Sequence, residues 1–113
     1  MSLQNVRTEN GITIVELHGR LSVGKGLADI EAEMQKLIQE GATKLVVDLR
    51  SLDYIDSASL GMLTACRNQL AAAGGHIRLA GPHGATARVF KVVHMDKIIP
   101  VDESVEDAIA ALA

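Results

Sequence analysis

Between Lys44 and Ala80 the apolar residues change period twice, and that change confines the chain to an alternating α/β fold. Lys44-Leu45-Val46-Val47-Asp48-Leu49 is a short, nearly unbroken aliphatic run, the pattern of a strand covered on both faces of a parallel sheet. From about Ser57 to Ala73 the spacing turns helical, with Leu60, Leu63, Cys66, Arg67 and Leu70 on or near one stripe, and Gly74-Gly75 ends it. His76-Ile77-Arg78-Leu79-Ala80 then reads as a strand again.

The same alternation continues on both sides. Ile12-Thr13-Ile14-Val15-Glu16-Leu17 is β-branched and mostly alternating, and Gln4 to Thr8 pairs with it as a hairpin across Asn10-Gly11. Leu27, Ile30, Met34, Leu37 and Ile38 recur at helical spacing, with Gly41 where a left-handed cap belongs. After the Gly81-Pro82-His83-Gly84 loop the pattern predicts a short helix over about Thr86 to Val93, a last strand over Ile98 to Val101, and a final helix carrying Val105, Ala108, Ile109 and Leu112. Strand–helix alternation at this spacing implies right-handed crossovers. The expected fold is therefore one α/β domain over residues 1–113, with a mostly parallel sheet of four to five strands, an antiparallel N-terminal edge strand and about four helices. Periodicity leaves the strand order open.

Composition excludes several functions. With Tyr54 and Phe90 as the only aromatics and a net charge of −3, the chain lacks the stacking rings and basic surface of a nucleic-acid binder. No apolar stretch approaches the roughly 20 residues that span a bilayer, so no membrane insertion is expected. Met1 to Asn10 has no basic region leading into an apolar run, as a secretory signal would. Cys66 is the single cysteine, which rules out an internal disulfide and a cysteine-built metal site and fits a reduced, cytoplasmic protein.

Ligand and partner sites in open α/β sheets form beyond the carboxyl ends of the strands. Three such junctions are legible: Gly19 to Gly26, Ser51 to Ser59, and Gly81 to Thr86. In the middle one, Asp56-Ser57 opens a helix. Two accounts fit that dipeptide. Either side chain can cap the helix by accepting from the first-turn N–H groups. Alternatively, an exposed serine hydroxyl there can receive a phosphate, which the N–H donors and the positive end of the helix accommodate. A partner shaped for the neutral hydroxyl would then meet added negative charge beside Asp56.

The run Asp53-Tyr54-Ile55-Asp56-Ser57-Ala58-Ser59-Leu60-Gly61-Met62-Leu63 resembles the signature of STAS domains, the sulphate-transporter and anti-sigma-factor-antagonist family, whose usual form is an apolar residue followed by Asp-Ser-Ser/Ala/Thr-Gly-Leu-Gly. Gly11 to Leu21 resembles the family's early strand ending Gly-Arg/Glu-Leu, and Leu45 to Leu49 its Leu-Val-Leu-Asp-Leu strand. The resemblance implies a (βα) superhelical sheet and the role of an anti-sigma factor antagonist. Such a protein binds an anti-sigma factor serine kinase while unphosphorylated. The kinase phosphorylates the serine after Asp, here Ser57, and a serine phosphatase reverses the modification. It further implies a partner surface containing Asp56, Ser57, Ala58, Ser59, Met62, Arg20 and Ser22. Two departures stand out: Ser59 replaces the usual Gly, and Ser22 replaces the Asp of Gly-Arg-Leu-Asp, with Lys25 close behind. They motivate a second reading, a non-phosphorylated STAS subunit of a larger assembly such as a phospholipid-transport complex.

Other constellations carry less. Gly24-Lys25-Gly26 lacks the spacing of a phosphate loop. Gly81 to Thr86 could hold an anion on backbone N–H groups, against the plainer reading of a turn with Thr86 as helix cap. His18, His76, His83 and His94 have no metal-ligand spacing, so no metal or cofactor is expected. Ser57, Asp56 and His83 do not form a nucleophilic triad, since adjacent Asp and Ser leave no place for the base between them. An enzyme is not expected. Cys66 falls on the inward stripe and reads as a small buried residue, while Asp29, Glu31, Glu33, Lys36, Gln39 and Glu40 read as a solvated helix face.

Overall fold

The computed structural model describes residues 5–113; Met1 to Gln4, including the Gln4 start of the expected hairpin, lie outside the described residues. The chain runs β1 (Asn5–Glu9), β2 (Ile12–Leu21), α1 (Lys25–Gln39), β3 (Lys44–Ile55), α2 (Ser57–Ala72), β4 (His76–Ala80), α3 (Gly84–Val93), a 3₁₀ turn (Met95–Lys97), β5 (Val101–Asp102) and α4 (Val105–Leu112). The strands form one sheet in the order β1-β2-β3-β4-β5. β1 is antiparallel to β2 and every other pairing is parallel. This is the expected α/β class, and the sheet is in sequence order because each crossover returns the chain to the adjacent position.

Local chemistry fixes the element ends. Asn10 and Gly11, with φ of 53° and 77°, make the left-handed pair that a two-residue hairpin turn demands. α2 closes through Gly74 (φ 77°): the N–H groups of Gly74 and Gly75 donate to the carbonyls of Ala71 and Leu70 at 3.0 and 2.7 Å, satisfying acceptors the helix leaves over. α4 starts at Ser104, whose side chain accepts from the Asp107 N–H at 3.0 Å.

Alternation along the strands divides the core in two. Val15, Leu17, Leu45, Val47 and Leu49 face the larger cluster, where they pack with Ile30 and Met34 of α1, Leu63, Cys66 and Leu70 of α2, and Phe90 of α3. Ile12, Ile14, Val46 and Ala80 face the other way, onto Val105, Ala108 and Leu112 of α4. Cys66 is buried as expected, and burial pushes its thiol up to about 11, which removes thiolate reactivity at neutral pH.

Four expectations need correction. β3 does not stop at Leu49 but continues to Ile55, because β2 runs on beside it: Gly19, Arg20 and Leu21 lie opposite Leu52, Tyr54 and Ile55. The last strand is Val101–Asp102 rather than Ile98–Val101. The N–H groups of Ile98 and Ile99 both turn back to the Met95 carbonyl at 2.9 Å, closing a 3₁₀ turn, and Pro100 has no N–H to offer a ladder. Thr86 does not cap α3, which begins at Gly84 after His83; Thr86 is wholly buried, its hydroxyl 3.5 Å from the Leu52 carbonyl. Arg67 points to solvent, since one step of about 100° past Cys66 carries it off the inward stripe.

Candidate functional site

β2 and β3 outrun β4, so their carboxyl ends project as a two-stranded tip carrying the turn before α1 and the start of α2. Asp56 is the N-cap of α2, in extended conformation (φ −109°, ψ 176°). Its Oδ1 accepts from the Ser59 N–H at 2.9 Å and lies 2.7 Å from the Ser59 hydroxyl. Its Oδ2 accepts from the Val23 N–H at 2.7 Å, a bond across 33 residues of sequence. The Asp56 N–H donates in turn to the Leu21 carbonyl at 3.2 Å. One carboxylate thus caps a helix and ties down the neighbouring turn. The hydrogen bond from the Ser59 hydroxyl, then that from the Val23 N–H, hold the Asp56 carboxyl below the usual carboxylate range against a smaller opposing effect of burial.

Of the two accounts of Asp56-Ser57, capping belongs to Asp56. Ser57 is the first helical residue, exposed, with its hydroxyl outside the capping bonds. The N–H groups of Ser57 and Ala58 lie in the first turn at the positive end of α2, where the helix itself offers them no acceptor.

The other residues singled out in the sequence divide sharply. Ala58 is exposed beside Ser57, Ser22 is half-buried in the turn, and Arg20 is exposed. The Arg20 guanidinium stacks 4.1 Å from the centre of the Tyr54 ring, its cross-strand neighbour. Ser59 and Met62 are inside, at 0% and 4% exposure, and do not form part of the surface. The Ser59 hydroxyl sits between Asp56 Oδ1 and the Leu21 carbonyl, at 2.7 and 2.9 Å, and its single proton serves one of them at a time. The residue that replaces the usual glycine is therefore an internal fastener, not an obstruction at the helix mouth. Its burial follows from helical geometry: Ser59 comes two residues, about 200°, after Ser57.

Sequence reasoning missed two residues here. Val23 stands 75% exposed at the turn whose N–H Asp56 holds. Its signal was an aliphatic residue between Ser22 and Gly24 that belongs to no periodic pattern. Tyr54 was read as part of the loop before the helix; only the extended β2–β3 pairing places it under Arg20.

The neighbouring junction is built differently. His83 Nε2 donates to the Arg50 carbonyl at 2.7 Å, a direction set by the carbonyl being acceptor only, and no side chain caps α3. On the sheet face nearby, Arg50 makes a forked pair with Asp48, with contacts of 2.7 to 3.2 Å. Burial raises the Asp48 carboxyl, but the hydrogen bonds and charge of Arg50 outweigh it and leave the group below its ordinary value. Among the described residues no cluster of three or more His, Cys, Asp or Glu is placed to hold a metal ion. None of the described helices is long and apolar enough to cross a membrane.

Comparison with known proteins places this geometry in a family context. The sequence matches the STAS domain model over residues 4–108. It is 31% identical over 102 residues to the Bordetella bronchiseptica protein named "Putative anti-sigma factor antagonist BtrV", covering 90% of this chain and 87% of that one. A Thermotoga neapolitana relative with a similar name matches at 24% identity over 66% of its own length. The fold superposes on an anti-sigma factor antagonist from Mycobacterium paratuberculosis with a TM-score of 0.85 at 23% identity, covering 96% of this chain and 91% of that one. It also superposes on the Bacillus cell fate determinant SpoIIAA in its phosphorylated form, with a TM-score of 0.74 at 22% identity, covering 96% and 98% of the two chains.

Proposed function

The chain belongs to the STAS domain family, and on that premise we propose that it is an anti-sigma factor antagonist whose hold on an anti-sigma factor serine kinase is controlled by phosphorylation of Ser57. The observation that carries this reading is the exposed Ser57 hydroxyl on the first residue of α2, beside an Asp56 whose oxygens are already committed to Ser59 and Val23. The name of the Bordetella relative and the existence of SpoIIAA in a phosphorylated form support it.

The proposed switch follows from charge. In the neutral state a partner packs against Ser57 and Ala58, with Arg20 and Ser22 at the flanks. The kinase transfers the γ-phosphoryl group of ATP to the Ser57 oxygen: an O–P bond forms there, the β–γ bridge breaks, and ADP leaves while the kinase removes the hydroxyl proton. The product carries about −1.5 to −2 charges. The N–H groups at the start of α2 keep the phosphate compatible with the fold. A partner surface built for a hydroxyl must desolvate that charge beside Asp56, and binding fails. A serine phosphatase restores the neutral form by hydrolysis. The reading places the protein in the cytoplasm, where kinase and ATP are found.

The departure at Ser59 does not favour the structural-subunit alternative, because that side chain lies within the protein. Incubation with the host's anti-sigma factor kinase and ATP, followed by mass spectrometry, tests the proposal. Phosphate is expected on Ser57 and absent from Ser57→Ala; phosphate confined to other residues, or none, rejects it.

A further inference from the structure

We propose that the cavity at the amino ends of β3 and β4 is a separate site, which binds a small phosphorylated molecule with an apolar body. The cavity measures about 800 Å³, within the ~300–1,000 Å³ of small-molecule sites, and lies at the carboxyl end of α2, away from Ser57. Lys44 of β3, Arg67 of α2, His76 and Arg78 of β4 and Lys97 of the 3₁₀ turn all line it. Parallel register puts Lys44 beside His76, and the two-residue period of a strand puts Arg78 on the same face. Asp96 is the single carboxylate among the described wall residues, and it forms no ion pair with these groups. Arg78 is paired with Asp102, at 2.7 and 3.0 Å. Among the described residues Lys44 and Lys97 have no side-chain partner, and Arg67 reaches only Asn68 of its own helix, at 3.1 Å.

Cations from three elements thus surround one concavity without carboxylates to neutralise them, on a chain whose net charge is −3. They are not helix caps: the last carbonyls of α2 accept from the N–H groups of Ala73, Gly74 and Gly75, and no basic residue lies in its last turn. A concave wall of one sign focuses its field on an anion inside it. Two ammonium groups on separate elements act as point charges, which suits a phosphate better than the forked geometry a carboxylate prefers. A backbone donor adds to them. The Leu79 N–H donates to the Pro100 carbonyl at 2.9 Å, and alternation turns the Ile77 N–H to the same side, beyond the reach of β5, which pairs with Leu79 and Ala80 alone. Ile77, Ile98, Pro100 and Leu112 complete the wall, so an apolar body belongs to the ligand as well. The wall is ordered in advance, which lowers the cost of binding. The Gly75 and His76 N–H groups donate to the Leu70 and Thr43 carbonyls at 2.7 Å, and a Cβ on Gly75 would stand 2.5 Å from the Thr43 oxygen, so this close approach requires glycine.

Phenyl phosphate is the probe, followed by the amide resonances of the full chain. Saturable shifts are expected at Gly75, Ile77 and Ile98, with half-saturation at about 1 mM or below, the range of a small fragment. Replacing both lysines, Lys44→Gln with Lys97→Gln, should weaken binding about tenfold or more, while Lys44→Arg with Lys97→Arg should keep it within about threefold. Inorganic phosphate should shift the same resonances more weakly, and phenol should not shift them. Displacement of the probe by phosphatidylglycerol vesicles assigns the phosphate to a lipid headgroup, and its retention assigns it to a free phosphate ester; both keep the site. No saturable shift up to about 10 mM, equal affinity of the glutamine variant and wild type, or phenol binding as well as phenyl phosphate overturns the inference. Shifts confined to the amides at the start of α2 overturn it too. None of these results bears on phosphorylation of Ser57, which mass spectrometry reads separately.

Discussion

Two strand-to-helix junctions, those opening α2 and α3, occupy equivalent places at the carboxyl ends of β3 and β4 and are fastened by opposite means. At α2 the fastener is a carboxylate, Asp56, which accepts from the first turn of its own helix and from the turn before α1. At α3 it is a ring N–H, His83 Nε2, donating to the Arg50 carbonyl, while the hydroxyl of Thr86 in the first turn is buried. On the proposed reading, phosphorylation acts at the first junction because the exposed Ser57 stands beside it on an open helix end. The second offers a helix end without such an acceptor. The same topology therefore supplies one junction with an exposed serine at an open helix end and one fastened by a ring N–H.

The largest expected effect breaks this asymmetry at its centre. Ser57→Asp should weaken kinase binding by about 100-fold or more in titration calorimetry, in line with the several kcal/mol that like-charge juxtaposition costs at an interface, with an unchanged circular dichroism spectrum. Equal affinity for wild type and variant would remove the charge-responsive character of the α2 junction. Next comes Asp56→Ala, which leaves the Ser59 and Val23 N–H groups without their acceptor. The loss should be about 1–2 kcal/mol in a urea denaturation series, the cost of a lost N-cap. His83→Ala removes one hydrogen bond at an exposed position and should cost about 1 kcal/mol or less in the same series. A His83→Ala loss larger than that of Asp56→Ala would reverse the ranking of the two junctions.

The smallest effect is the most discriminating. The Asp56 carboxyl titrates below its ordinary value in the folded protein. Its contribution to stability is therefore complete above the unfolded value of about 3.9 and is lost as pH falls through the lower folded value. Between pH 5 and 2, Asp56→Asn should flatten part of the acid loss of stability followed by thermal melts. His83→Ala should leave that limb as steep as in the wild type. Asp48, lowered by Arg50, maintains a residual acid dependence in both variants.

Much of this was legible locally. The β–α alternation, the hairpin at Asn10-Gly11, the Ser57 start of α2 and its end at Gly74-Gly75 all follow from rules that act within a few residues. The errors fall where a distant partner overrode the local signal. β3 extends through Asp53-Tyr54-Ile55 because β2 is there to pair with it, and Thr86 turns inward toward Leu52 instead of capping its helix. Ser59 and Met62 were assigned to the surface from the motif alone, and the packing of α2 on the sheet put them inside.

The sequence by itself determined that a serine would stand at a helix start behind a carboxylate, because capping and hydrophobic period are local properties of the chain. Only the tertiary structure decided what that carboxylate holds. The bond from Asp56 to Val23 joins residues 33 apart, and no periodic signal encodes such a contact. It exists because parallel pairing of β2 with β3 brings both strand ends to the same edge.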